Sequence, residues 1–243
     1  MVIESGGLSP NTTRFTASRD AAALADQGKG SLKYLYTLTT NPTLMRKAGI
    51  ADYKAFAFDI LREIKNKPIS FEVFSDDFSE MERQALEIAS WGDNVYVKIP
   101  ITNTKRESCY RLAERLSEKG VKLNVTAIMT AEQVFGVTLK MNPDVPSYIS
   151  VFAGRIADTG RDPIPLMVES LRLMKHLPKA ELIWASPREL LNIFQADEIG
   201  CHIITVTNDI LKKLDLVGKS LDDYSLDTVK MFYNDANAAG YAI

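Results

Sequence analysis

The chain of 243 residues is 46% hydrophobic and 25% charged, the balance of an ordinary globular domain with a sizeable core and not of a disordered segment. Its 29 basic and 31 acidic residues leave a formal charge of −2, without a Lys/Arg-rich block, which speaks against nucleic acid as a partner. No apolar run reaches bilayer-crossing length, and the start MVIESGGLSPNTTR lacks the basic-then-apolar order of a secretory signal, so neither a membrane nor export is expected and a cytoplasmic location is.

Residues 1–12, polar with Gly and Pro, read as a loose N-terminal extension, and residues 13–243 as one domain. Eight short runs rich in β-branched and aromatic residues follow in order: RFTAS (14–18), YLYTLTTN (34–41), ISFEVF (69–74), NVYVKI (94–99), VKLNVTA (121–127), SYISVFA (147–153), ELIWAS (181–186) and CHIITVT (201–207). Helical patterns lie between them. YKAFAFDILREIKN sets Phe56, Ile60 and Ile64 on one stripe; FSEMERQALEIASWG and ESCYRLAERLSEKG have Gly92 and Gly120 where a left-handed residue would end a helix. DPIPLMVESLRLMKHL and SLDTVKMFYNDANAAG complete the set. Strands alternating with helices at this spacing predict an α/β fold, a single (β/α)8 TIM barrel. A doubly wound open sheet is the alternative, but no glycine-rich turn follows the first strand.

In NVYVKIP, Val95, Val97 and Ile99 share one face, and Lys98 stands on the other beside Tyr96. If that second face points into the barrel, Lys98 shares a pocket with Glu72, Asn41, Asn124 and Thr126, all near the C-terminal ends of their runs. An ammonium ordinarily titrates near 10.4, and a low-dielectric interior favours the neutral amine, whose lone pair attacks a ketone. The resulting iminium is an electron sink. Glu72, through a water held by Thr126, would move the protons that dehydrate the carbinolamine. Asn41 and Asn124 would bind substrate hydroxyls. The bland reading of Glu72 is a salt bridge to Lys98, and that of Asn41 is an Asn-Pro turn.

An anion site is expected further along. Arg155 follows the sixth run, and Ser186 and Arg188 follow the seventh. Ser186-Pro187-Arg188-Glu189 also has the pattern of a helix start, with Ser186 as N-cap, and two arginines beside such a start can clamp a phosphate. No metal-ligand motif, Walker sequence or G-x-G-x-x-G occurs, so no metal site is expected; His176 and His202 read as structural, and Cys109 and Cys201 as free thiols.

Six stretches in order, TLTTNPTLM, SFEVF, VYVKIPIT, VKLNVTAI, SVFAGRIAD and WASPRELLN, resemble the strand-end motifs of transaldolases, most closely the small branch that includes fructose-6-phosphate aldolase. The resemblance runs from about residue 35 to about 210. It implies a Schiff-base lysine at Lys98, with Glu72 and Thr126 positioning the catalytic water. Asn41 and Asn124 would bind the dihydroxyacetone part of the donor, Ser150 would lie near the substrate, and Arg155, Ser186 and Arg188 would hold its phosphate. It further implies a sugar phosphate as ligand, no cofactor and a homo-oligomer. Glu72 tilts it toward transfer, since the aldolase branch tends to carry Gln there. One departure stands out. The family's first strand ends in an aspartate that serves C–C cleavage, whereas RFTASRDAAALADQG has Ala17 or Ser18 at that place, and Asp20 reads as opening the next helix. An aldolase releasing dihydroxyacetone and a phosphosugar-binding barrel with little or no catalysis are therefore the rival readings.

Overall fold

In the computed structural model, which describes residues 14–17, 35–40, 46 and 49–242, parallel strands alternate with helices. The strands are β1 (Arg14–Ala17), β2 (Leu35–Thr39), β3 (Ile69–Glu72), β4 (Val95–Pro100), β5 (Leu123–Ile128), β6 (Ser147–Val151), β7 (Ala180–Trp184) and β8 (Ile203–Val206). Each pairs in parallel with the next, and β8 pairs back to β1, so the sheet curls on itself. The α/β alternation expected from the sequence is present, with strand ends shifted by at most two residues.

The helices are α1 (Tyr53–Glu63), α2 (Phe78–Ala89), α3 (Tyr110–Glu118), α4 (Ala131–Thr138), α5 (Ala153–Ala157), α6 (Ile164–Leu173), α7 (Leu191–Glu198), α8 (Asn208–Leu211) and α9 (Leu221–Ala239). Their starts are chemically specified. Asp52 accepts the Ala55 N–H before α1 and Asp77 accepts the Glu80 N–H before α2; Thr130 and Gln133 form a reciprocal capping box on α4. Each such cap is worth about 1 kcal/mol. Gly120 follows α3 at φ +79°, the left-handed stop that the sequence suggests. Gly92 does not play that part: α2 ends through Ser90 at φ −76°, an ordinary right-handed residue, and Gly92 is not left-handed.

Two apolar layers result from strand alternation. Val95, Val97 and Ile99 belong to the large layer between the strands and the helices, together with Leu112, Leu116 and Met167. Tyr96, Tyr148, Ile183, Ala185 and Ile203 form a smaller cluster within the curl of the sheet. Tyr96 and Lys98 are two residues apart, so Lys98 shares the inner face. Among the described residues no helix is long and apolar enough to cross a membrane. Helix α9 buries none of its side chains, and Phe232 and Tyr233 are 62% and 70% exposed.

Candidate active site

Strand register sets Glu72, Lys98 and Asn124 in one row across β3, β4 and β5, each opposite the next. Lys98 is 7% exposed. Its Nζ donates to the Thr40 carbonyl at 3.2 Å and lies 3.2 Å from Glu72 Oε2. The second contact is one of charge: Glu72 Oε2 is buried and has no hydrogen-bond partner in suitable geometry. A carboxylate oxygen in that state is poised to accept a proton or a water.

Asn124 is 1% exposed and held from both sides. Its Nδ2 donates to Ser70 Oγ at 2.9 Å, and its Oδ1 accepts from Ser150 Oγ at 2.7 Å. The amide keeps one N–H and one lone pair for a ligand. Ser70, inward-facing two residues before Glu72, escaped the sequence reading, because a lone serine inside a strand carries no signal of its own.

Thr126 stands two residues beyond Asn124 on the same face, and its buried Oγ1 also lacks a partner. The next residue, Ala127, has φ +62°, and the β5–β6 register shifts between Val125 and Ile128. A non-glycine residue in this region costs on the order of 1 kcal/mol or more, and such strain concentrates at functional sites.

The other end of the site, where the sequence suggests an anion, is built from the loops after β6 and β7. Arg155 lies over the Phe152 ring at 5.5 Å. Arg188 is gripped by Asp158: Nε donates to Oδ1 at 2.8 Å, and Nη2 donates to Oδ2. Arg188 Nη1 also donates to Ser186 Oγ at 2.9 Å. The guanidinium beside it holds the Asp158 carboxyl below the usual carboxylate range, with a smaller contribution from Arg155. Ser186 is not a helix cap, contrary to the sequence expectation. It is left-handed at φ +62°, its N–H donates to Thr205 Oγ1 at 3.0 Å, and α7 starts only at Leu191. Asn192 Oδ1 instead accepts the N–H groups of Arg188 and Glu189. Gly154 lies directly against this turn. A Cβ there would stand 1.6 Å from the Ser186 carbonyl oxygen, so the two loops meet backbone to backbone.

A cavity of about 240 Å³ joins these groups. Lys98, Asn124, Thr126, Ser150, Arg155, Ser186 and Arg188 line it, as do Thr39, Phe152, Thr205 and Thr207, which the sequence reading did not single out. Glu72 stands behind Lys98 without lining the cavity. Asn41 lies outside the described residues, as do Ser18 and Asp20. The histidines are elsewhere: His176 Nε2 bonds the Thr138 carbonyl at 3.0 Å, and His202 Nδ1 accepts the Leu182 N–H at 3.0 Å. Cys109 and Cys201 are buried, and neither is in a disulfide.

The chain is similar to known proteins along most of its length. The profile of the family described as transaldolase/fructose-6-phosphate aldolase matches residues 29–243. A probable transaldolase of Dehalococcoides mccartyi is 34% identical over 197 residues, covering 80% of this chain and 88% of the relative. One from Streptococcus equi subsp. zooepidemicus is 36% identical over 179 residues, covering 73% and 78%. One from Nitrosopumilus maritimus is 32% identical over 179 residues, covering 73% and 76%. A chain of the tryptophan synthase α2β2 complex of Pyrococcus furiosus shares the fold alone, with a TM-score of 0.56 at 12% identity over 86% of this chain and 91% of that one. By profile and by relatives that match along most of its length, the chain belongs to the transaldolase/fructose-6-phosphate aldolase family.

Proposed function

We propose that this protein is a transaldolase-like transferase that binds a ketose phosphate as a Schiff base on Lys98 and passes a dihydroxyacetone unit to an aldose acceptor. The observation that carries the reading is the buried Lys98 amine at the wall of a polar cavity, 3.2 Å from a carboxylate. The neutral amine adds to the donor ketone. Glu72, with a water at Thr126, moves the protons that expel hydroxide as water. The iminium takes up the electron pair of the breaking C–C bond, and the enamine then adds to the acceptor aldehyde. Asn124 and Ser150 hold donor hydroxyls, with Asn41 assigned the same task by resemblance. Arg155, Arg188 and Ser186 meet the phosphate. The lysine serves as the electron sink, so the scheme calls on no cofactor.

The same reading takes residues 13–243 as one complete (β/α)8 barrel, supported by the β1–β8 pairing. It places the enzyme in the cytoplasm and has it self-associate, for which the exposed apolar residues of α9 give a surface. Borohydride reduction with a ketose phosphate, read by intact mass, tests the imine. The adduct must map to Lys98, and Lys98→Met must abolish it while the fold persists. Failure of either outcome removes the reading.

A second reading is favoured by one feature: β1 ends on Ala17, which has no carboxylate. Imine formation and C–C cleavage then come apart, giving fast trapping with slow cleavage, by the 10²–10⁴ typical of a lost general base. Ala17→Asp would raise cleavage. Brisk cleavage that collapses in Asp20→Asn would instead make Asp20 the base. Release of free dihydroxyacetone without an acceptor would identify an aldolase.

A further inference from the structure

In a parallel ladder every second residue of one strand bonds to two residues of its neighbour, through its N–H and through its carbonyl. The register pairs Leu38 with Ile69 and Thr39 with Ser70, so Thr40 falls opposite Phe71. Its N–H donates to the Ser70 carbonyl at 3.1 Å, as the ladder requires. The next ladder bond would run from the Glu72 N–H to the Thr40 carbonyl. It is not made. The Glu72 N–H donates to the phenol oxygen of Tyr53 at 2.8 Å, and the Thr40 carbonyl accepts from Lys98 Nζ at 3.2 Å.

We propose that Tyr53 is a positioning residue for Lys98: by taking one backbone N–H out of the β2–β3 ladder, its phenol frees the Thr40 carbonyl to aim the amine. The proposal rests on the Schiff-base reading above. Every buried donor must find an acceptor, so without the phenol the Glu72 N–H would turn to the Thr40 carbonyl and compete with Lys98 for it. Tyr53 is fixed for the task. It is the first residue of α1, its ring packs edge-on against Phe74 at 4.5 Å and Phe71 at 6.1 Å, and its oxygen lies 3.4 Å from Thr40 Oγ1. Thr40 Oγ1 donates onward to the Ser70 carbonyl at 3.1 Å, which leaves it as an acceptor for the phenol hydrogen; the Glu72 carbonyl at 3.4 Å is another. Burial pushes the phenol up to about 12, so the hydrogen stays on it at neutral pH. Both groups that touch Lys98 Nζ, the Thr40 carbonyl and the Glu72 side chain, are thereby tied to one oxygen. With one N–H directed at Thr40, the amine's lone pair has a defined direction, the condition for near-attack geometry.

The test is single-turnover labelling of Lys98 with dihydroxyacetone and cyanoborohydride, read by peptide mass. Tyr53→Phe keeps the ring and is expected to slow labelling at saturating probe about tenfold, the size of one lost hydrogen bond, with the half-saturating concentration unchanged within about twofold. Thr40→Val keeps shape and is expected to slow it as well, Thr40→Ser to keep the normal rate, and the double variant Tyr53→Phe/Thr40→Val to be no slower than Tyr53→Phe, as for residues acting as one unit. A merely structural Tyr53 would lower Tm and leave the saturated rate alone. Labelling of Lys98 at equal rates in unmodified protein and Tyr53→Phe overturns the positioning role by itself. Labelling in neither protein overturns the Schiff-base reading, and the positioning role with it.

Discussion

Tyr96 and Tyr148 stack face to face, 4.1 Å apart with planes 8° from parallel, each one inward position before a cavity residue, Lys98 and Ser150. The pair belongs to the inner apolar cluster and does not itself line the cavity. Both rings are nearly fully buried. Tyr148→Ala should cost about 3–5 kcal/mol, as for other large-to-alanine changes in cores, and Tyr148→Leu distinctly less. Denaturant unfolding at constant m-value checks both.

Glu72→Gln retains shape and removes the carboxylate. With Glu72 as proton carrier, imine formation should slow by about 10²–10⁴ at saturating donor. Thr126→Val should slow it too, since Thr126 Oγ1 is the second buried oxygen without a partner. Stopped-flow single turnovers separate this from an effect on binding, and an unchanged rate for both variants would make Glu72 a salt-bridge partner only.

The two arginines proposed to meet the phosphate should differ in effect. Asp158 engages Arg188 through two hydrogen bonds, while Arg155 lies on the Phe152 ring. Arg188→Ala removes a cation and also bares a carboxylate beside the anion, so it should weaken phosphorylated ligands more than Arg155→Ala does. Because the pair is half-exposed, a loss of about tenfold is expected for the first. Asp158→Ala placed in the Arg188→Ala background should restore part of it. Inhibition constants for phosphorylated and unphosphorylated ligands decide the matter, and equal losses on both would assign the arginines to structure.

Gly154→Ala should disrupt the anion end. A methyl group 1.6 Å from the Ser186 carbonyl cannot be relieved by a rotamer change, since both partners are backbone. Tm is expected to fall by several degrees and phosphate affinity to drop with it. A normal Tm in this variant would show that the β6 and β7 loops move independently.

Alkali should destabilise the fold before acid effects are felt at the site. Burial raises Tyr53, Cys109 and Cys201 to about 12 each. A raised folded value means that the unfolded chain ionises first. The stability these groups contribute is therefore complete below their ordinary values, near 9 for the thiols and 10 for the phenol, and is lost as pH climbs toward 12. Urea midpoints should hold to about pH 9 and fall beyond it, and Cys109→Ala with Cys201→Ala should delay the onset.

Much of this was legible in the sequence, and the reasons are local. NVYVKI alternates strictly, so Lys98 had to share a face with Tyr96 and oppose Val97. LNVT likewise put Asn124 and Thr126 together. What escaped depends on distant backbone. Ser186 carries every mark of an N-cap, yet Thr205 and Gly154 hold it left-handed, and neither is near it in sequence. Ala127 gives no hint of its φ of +62°, because alanine has no preference for that region. Tyr53 reads as an apolar residue at a helix start, and only the β2–β3 register shows what its oxygen replaces. Helix α4, eight residues long, was too short for a periodic signal.

The row Glu72–Lys98–Asn124 also bears on how the chain finds its own alignment. A slip of β4 by one residue would exchange its faces and press the ammonium into the apolar layer where Val97 is wholly buried. An unpaired charge in such a place is costlier than any apolar contact the slipped strand would gain. Lys98 should therefore penalise misaligned pairing of β4, and Lys98→Met, whose side chain suits either face, should fold with more misaligned species even though its native state is sound.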